Sequence, residues 1–345
     1  MRKGIAVALC ALALSLAAQD ARHEDEVRIG VLGLFHPTKL VIHKLAGHAL
    51  ECGISGQRQP IVDPLEVNGI DLQSPKPATL FKDAPFSCND GAGGETEFAI
   101  SIPGKISRRY RGKLQLYDRA ERIEVVVTMS VETAVASVVT AEAAPDAPLE
   151  TLKAQAVAAR SFLIAGRGSH KAFDFCDTTH CQFLRSPPPI ESPGSRAAIE
   201  TRGLVLTYRE AAIAAMYSES CSGKTHSLEE LGIPVHGYPY FSVACDYCKR
   251  HPQKWSARLS KEEAAILSGT EASRLKLARK LGWSSVPSNS FDTREENGAV
   301  ILRGVGIGHG MGLCQRGAAD MGSRGSSFRE ILAHYYPNTE LRQFR

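Results

Sequence analysis

The sequence has little surplus of charge of either sign, with a formal net charge of +4. Its 345 residues carry 41 Lys and Arg against 37 Asp and Glu. That balance argues against nucleic acid as a partner, which demands a concentrated basic face. Beyond the first twenty residues there is also no segment long and apolar enough to cross a bilayer, which takes about 20 such residues. No internal repeat runs along the chain, so stacked-repeat architectures are excluded. What is present is 43% hydrophobic content, enough for one large core or two smaller ones without help from metal or disulfides.

The N-terminus reads as an export signal. Met1-Arg-Lys is a positive start, "GIAVALCALALSLAA" an apolar stretch too short to span, and Ala17, Ala18 and Ala21 offer small residues for cleavage. We therefore assign residues 1–21 to a signal peptide and place the mature chain in the periplasm or the extracellular envelope. Cys10 lies inside the apolar stretch and not at its end, which argues against a lipoprotein cysteine. Cleavage takes away Arg2, Lys3 and Asp20 and leaves 39 basic against 36 acidic side chains. Eight cysteines remain; in an oxidising compartment an even number invites disulfides, while some of the spacings suggest metal.

The pattern predicts an α+β protein. "VRIGVLGL" and "KLVIHKL" read as strands, and "GKLQLYDRAERIEVVVTMS" as a hairpin turning near Asp118 to Glu121. Residues 22–128 form a β-rich N-terminal part and 129–345 a mixed helical and strand core. The Pro-, Gly- and polar-rich stretches "SGQRQPIVDPLEVNGIDLQSPKP" and "SCNDGAGGETE" read as loops. From Val131 the period changes: Val135, Val138, Val139 and Glu142 fall at i, i+3, i+4 and i+7, one face of a helix. This helix is expected to stop before Pro145. A second begins near Pro148 and runs through "LETLKAQAVAARSFLIA", with Leu149, Leu152, Ala156, Ala159 and Leu163 on its buried stripe.

Glu142 thus shares an apolar face. It is either a boundary carboxylate that snorkels or caps, or a half-buried acid whose pKa is raised by desolvation, as a general acid near neutrality requires. Arg160 is likewise a surface charge or ion-pair partner, or else a group that orients Glu142 or binds an anion. His170, Cys176, His180 and Cys181 make a zinc-like set within the loop 166–195, closed at four ligands and structural by type; the alternative is a Cys176–Cys181 disulfide beside two surface histidines. By its spacing Cys245-x-x-Cys248 is half of a metal site, a redox pair or two halves of separate disulfides; we expect disulfides, with Cys221 bonded to Cys245 or Cys248, and a further bridge between Cys52 and Cys88. The glycine run Gly304 to Gly312 lacks the Lys-Ser/Thr of a phosphate-binding loop and the spacing of a dinucleotide fingerprint, so nucleotide binding is not expected. Within it His309 either braces the loop or touches substrate. Tyr217, Ser218, Ser220 and Thr225 form a polar cluster after the strand-like "AAIAAMY"; such hydroxyls usually satisfy nearby backbone.

"VVTAEAAPDAPLETLKAQAVAARSF" closely resembles the signature of the SpoIID/LytB family of peptidoglycan-acting envelope proteins. The resemblance continues in family order through "RYRGKLQLY", "TRGLVLTY", "AAMYSESCSGKTHS", "GVGIGHGMGLCQRGAADMG" and "ILAHYYPNTEL". It implies a lytic transglycosylase in which Glu142 is the catalytic acid and base and Arg160 belongs to the site. The products would be 1,6-anhydro-muramic ends cut from peptide-stripped glycan strands, so an amidase acts upstream. It further implies substrate contacts from Tyr217, Ser218, Ser220, Thr225, His309 and Gln315, and zinc on His170, Cys176, His180 and Cys181. A non-catalytic glycan-binding enhancer of an amidase, a role also found in the family, is the alternative. Two positions depart from the family pattern: Arg316 stands where many members have Trp, and Ala134 where the usual residue is Tyr.

Overall fold

A computed structural model describes residues 25–54, 57–68, 85–119, 122–178, 180–282 and 284–344, and the chain is an α+β protein. The signal peptide assigned to residues 1–21 lies outside the described residues. Two units emerge: the described residues up to Glu142 with Gly166–Arg196, and Ala143–Ala165 with Ala197–Phe344.

The first unit is built on strands β1 (Glu26–Val31), β2 (Lys39–Lys44), β3 (Glu51–Ile54), β4 (Gln57–Pro60), β5 (Leu65–Asn68), β6 (Phe86–Asn89), β7 (Thr96–Ile102), β8 (Ile106–Arg119) and β9 (Arg122–Ser130). In β8, Tyr110, Gly112, Leu114 and Leu116 alternate inward, the period of two that a half-buried strand requires. Its first half pairs with β7 and its second with β6 and β9, the last being the expected hairpin. β4, β5 and the ends of β6 and β7 occupy stretches read from sequence as loops, which corrects that reading. All four residues of β4 are exposed, so no hydropathic alternation marks it; backbone pairing with β3 makes it a strand. Cys52 and Cys88, directly opposite on β3 and β6, form the expected disulfide.

β9 runs straight into helix α1 (Val131–Glu142). The Ser130 hydroxyl accepts the Thr133 N–H at 3.1 Å, satisfying one of the helix's unpaired amides. Val135, Val138 and Val139 are buried, as their spacing predicts, and the helix ends at Glu142. The short strand β10 (Phe175–Cys176) then adds in parallel to β1, with Ile29 opposite Phe175 and Gly30 opposite Cys176. A Cβ on Gly30 would lie 2.5 Å from the Phe173 ring, so only glycine admits this approach.

The second unit wraps helix α2 (Leu149–Ala165). Ala154, Ala156, Val157, Ala158 and Ala159 are all buried, the signature of a helix covered on several sides. Their small side chains let neighbours approach closely. After α3 (Pro193–Glu200) come β11 (Leu204–Tyr208), β12 (Ala211–Ala212), β13 (Tyr217–Ser218), α4 (Asp246–Arg250), β14 (Lys254–Leu259), α5 (Lys261–Ala264), α6 (Glu271–Leu281), β15 (Phe291–Glu296), β16 (Ala299–Val305), β17 (Leu313–Cys314), α7 (Gln315–Ser323), α8 (Phe328–Tyr335) and β18 (Glu340–Gln343). Glu150 at the start of α2 accepts the Phe328 N–H of α8 at 2.8 Å, and Thr151 donates to the Ala318 carbonyl of α7 at 3.0 Å. The sheet β14-β16-β15 carries a separate small core of Leu259, Leu277, Val286 and Leu302.

Cys221, Cys245, Cys248 and Cys314 are free thiols, so the disulfide expected from Cys221 to Cys245 or Cys248 is not formed. The four sulfurs converge on one point instead of closing in pairs.

β13 and β17 pair in parallel, Tyr217 opposite Leu313 and Ser218 opposite Cys314. The turn into β17 depends on Gly312, whose φ is +64° and whose added Cβ would stand 2.0 Å from the Met216 carbonyl oxygen. Gly312→Ala is expected to cost more than about 2 kcal/mol, because backbone overlap adds to left-handed strain. Gly325→Ala is the control: φ is +90° there but nothing lies within 4 Å. Equal losses of the two variants in denaturant melts would remove the overlap argument.

Candidate functional site

Glu142 closes α1, half-buried, on the same face as Val135, Val138 and Val139. One carboxylate oxygen accepts the backbone N–H of Phe183. Two fields therefore oppose each other at this carboxyl: the negative end of the helix dipole and a fixed amide donor. Thr140 and Ala141, the residues immediately before it, line a pocket of about 540 Å³ together with Ile106, Ser107, Arg108, Arg185 and Ser186. The Arg185 guanidinium lies 4.4 Å from the centre of the Phe183 ring. Sequence reasoning missed Phe183, Arg108 and Arg185. A backbone donor carries no residue-type signal, and two arginines 77 positions apart show no pattern until the strand and loop meet.

The loop that supplies Phe183 also carries the four candidate ligands. His170 Nε2 lies 3.3 Å from Cys181 Sγ, Cys176 Sγ 3.5 Å from Cys181 Sγ and 3.8 Å from His180 Nδ1, and Cys181 Sγ 3.5 Å from His180 Nδ1. All four ligand atoms lie within 4.8 Å of one another. A tetrahedral zinc with bonds of about 2.0–2.3 Å has ligand–ligand edges of roughly 3.3–3.8 Å, so the donor set fits that ion. The adjacency of His180 and Cys181 does not prevent convergence, and both cysteines are free thiols, unbonded to each other. Contact with Cys181 pulls the Cys176 thiol down to about 4.

The loop is anchored on both sides. Asp174 accepts the Arg28 N–H at 2.9 Å. Asp177, buried, accepts from the Leu32 N–H at 3.2 Å and from Arg108 at 2.9 Å. Burial pushes the Asp177 carboxyl upward, against those donors. Gln182, between the last ligand and Phe183, is buried with neither amide atom partnered among the described residues.

Arg160 is fully buried in α2. Its guanidinium donates to the carbonyls of Ala198 and Leu204, each at 3.1 Å, and to Thr201 Oγ1 at 3.4 Å. It ties together α2, α3 and β11.

In the second unit, β13 and β17 bring Tyr217 and Ser218 beside the glycine run and Gln315, the first residue of α7. Thr225 and Ser220 spend their hydroxyls locally. Thr225 Oγ1 donates to the Phe241 carbonyl at 3.1 Å and accepts the Val243 N–H at 2.9 Å; Ser220 Oγ lies 3.4 Å from the Cys221 carbonyl. Ser218 Oγ is buried without a partner among the described residues. Of the two departures, Arg316 pairs with Glu219 at 2.7 Å, and Ala134 is wholly buried in α1.

His309 braces its loop: Nδ1 accepts the Met311 N–H at 3.0 Å. Burial pushes the imidazole down to about 4, against a hydrogen bond to the Tyr217 backbone. The unfolded chain, whose histidines titrate near 6.5, binds a proton that the fold refuses between about pH 4 and 6.5. The contribution is complete above pH 6.5 and is lost as pH falls toward 4. Melting temperatures across that window should therefore decline less steeply for His309→Asn than for the native protein; parallel slopes would contradict a neutral, bracing His309.

These features define an α+β protein with a helix-end carboxylate and a four-ligand loop in one unit. A family model described as "Stage II sporulation protein" matches residues 119–208. An uncharacterised protein of Brachyspira hyodysenteriae is 30% identical over 282 residues, covering 72% of this chain and 75% of that protein. Stage II sporulation protein D of Bacillus amyloliquefaciens is 25% identical over 263 residues, covering 63% and 75%. The amidase enhancer of Bacillus subtilis is 24% identical over 275 residues, covering 57% of this chain and 38% of its own length. The chain belongs to the SpoIID/LytB family, and its role is related to the cell wall. No described helix is long and apolar enough to cross a membrane.

Proposed function

We propose that this chain is an exported lytic transglycosylase that cleaves the bond from N-acetylmuramic acid to N-acetylglucosamine in peptide-stripped glycan strands. The observation that carries this reading is the setting of Glu142: a carboxyl on an apolar helix face, oriented by the Phe183 N–H, next to the residues that line a cation-bearing pocket. Glu142 donates its proton to the glycosidic oxygen as the C1–O bond breaks. The resulting carboxylate takes the proton of the muramic 6-hydroxyl, whose oxygen closes on C1 to give the 1,6-anhydro ring. No water enters, so one carboxyl suffices where hydrolysis needs two.

Zinc on His170, Cys176, His180 and Cys181 would supply no chemistry to this step, because four protein ligands would leave no open position. Those four residues would tie the loop together, and Phe183 lies two residues beyond Cys181. The second reading is a glycan-binding enhancer of an amidase, favoured by the relative of that name. Mass spectrometry of amidase-stripped strands incubated with the purified mature protein separates the two. Products ending in 1,6-anhydro-muramic acid are expected; bound but uncut strands, together with faster turnover of an added amidase, would establish the enhancer instead.

A further inference from the structure

We infer that Cys221, Cys245, Cys248 and Cys314 form a second metal site, an all-thiolate centre for one zinc ion inside the second unit. The four residues are all buried, and their sulfurs lie within 4.8 Å of one another. A single tetrahedral ion with zinc–sulfur bonds of about 2.3 Å has sulfur–sulfur edges of roughly 3.8 Å; Cys248 Sγ and Cys314 Sγ stand 3.5 Å apart. The space therefore suits one ion. An iron–sulfur cube, which spreads its ligand sulfurs around several metals, is too large for it. A soft four-sulfur set in tetrahedral proximity selects zinc over the harder divalent ions.

The surroundings are those of thiolates. The Cys221 N–H donates to Cys314 Sγ at 3.4 Å, and Tyr335 OH lies 3.5 Å from Cys245 Sγ. Such donors orient metal-bound sulfur and offset its charge. Gly317 leaves the room: a Cβ there would lie 2.5 Å from Cys245 Sγ and 2.1 Å from Tyr335 OH. Disulfides are the competing chemistry in an envelope compartment, yet Cys52–Cys88 is closed while these four are not.

The ligands come from three places: the chain just after β13, the start of α4, and the junction of β17 with α7. One ion thus fastens the Tyr217–Ser220 segment to the end of the glycine run, and the centre is structural because its four positions are filled. This inference does not depend on the proposed reaction.

The test is metal analysis, native mass spectrometry and zinc X-ray absorption on the full mature chain, purified without chelator, with non-reducing peptide mapping alongside. Native protein is expected to hold two zinc ions, with a mean shell of about three sulfurs and one nitrogen. Cys181→Ser, which disrupts the loop site, is expected to keep one zinc in an all-sulfur shell. Cys314→Ser is expected to keep one in a mixed sulfur and nitrogen shell. If Cys314→Ser fails to fold, the native shell average and the Cys181→Ser shell still decide. A metal-free Cys181→Ser protein, a native shell of two sulfurs and two nitrogens, or disulfides among the four cysteines would each overturn the site. Iron in the all-sulfur shell would overturn its assignment to zinc.

Discussion

Glu142→Gln is expected to abolish release of 1,6-anhydro products from stripped glycan strands, with a rate loss of at least about 10²–10⁴-fold, the usual contribution of a positioned general acid and base. Here one group performs both proton transfers, so the loss should lie at the upper end. The substitution isolates the chemistry because glutamine keeps an oxygen that can accept the Phe183 N–H, and its size and shape match the half-buried site at the end of α1. Binding of glycan and the melting temperature should therefore stay close to native. A variant that still produced anhydro ends at the native rate would remove Glu142 from the reaction. Loss of activity accompanied by a large fall in melting temperature would instead make it a structural residue.

Arg160→Met is expected to have the largest effect on stability. The side chain is buried, and removing the guanidinium strands the carbonyls of Ala198 and Leu204, while the Thr201 hydroxyl keeps its bond to the Ala197 carbonyl at 2.7 Å. A buried acceptor left unpaired costs about 1–3 kcal/mol. The total, roughly 2–5 kcal/mol, corresponds to a melting temperature lowered by roughly 5–15 °C for a unit of this size. Arg160→Lys restores the charge but not the planar fork and should fall between. Denaturant melts measure the loss, and activity per folded molecule separates the roles. A structural Arg160 leaves that activity unchanged below the transition, whereas an Arg160 that acts in the site depresses it beyond the folded fraction. Native-like melting of Arg160→Met would contradict the packing argument.

Both residues stood out in the sequence, but for different reasons. Glu142 was legible because three valines at helical spacing define its face and Pro145 marks the end of its helix. Those are local signals, and the structure agrees with them. Apart from the family resemblance that placed it in the site, Arg160 was legible as a charge on a helix of small apolar residues. Its partners lie 38 to 44 positions away, and hydrogen bonds to carbonyls leave no trace in residue type. The loop quartet was readable because its ligands lie within twelve positions. The cysteine quartet was not, because its members span residues 221 to 314; only the Cys245-x-x-Cys248 pair is local, and that spacing alone suits metal and disulfide equally. The strand pair β3–β4 escaped notice because its outer partner is wholly exposed, and an edge strand without a buried face has no period to detect.

Periodicity and close spacing act over a few residues, and from these the sequence by itself determined the α+β class, the two helices around the Pro145–Pro148 elbow, the carboxyl on the apolar face and the grouping of His170, Cys176, His180 and Cys181. Only the tertiary structure decided that the Phe183 amide meets Glu142, that Arg160 turns inward onto backbone, and that four thiols from three distant segments converge rather than pair. The physical reason is range: each of these depends on where a backbone amide, a carbonyl or a sulfur lies after strands and helices pack, and chain separation carries no information about that.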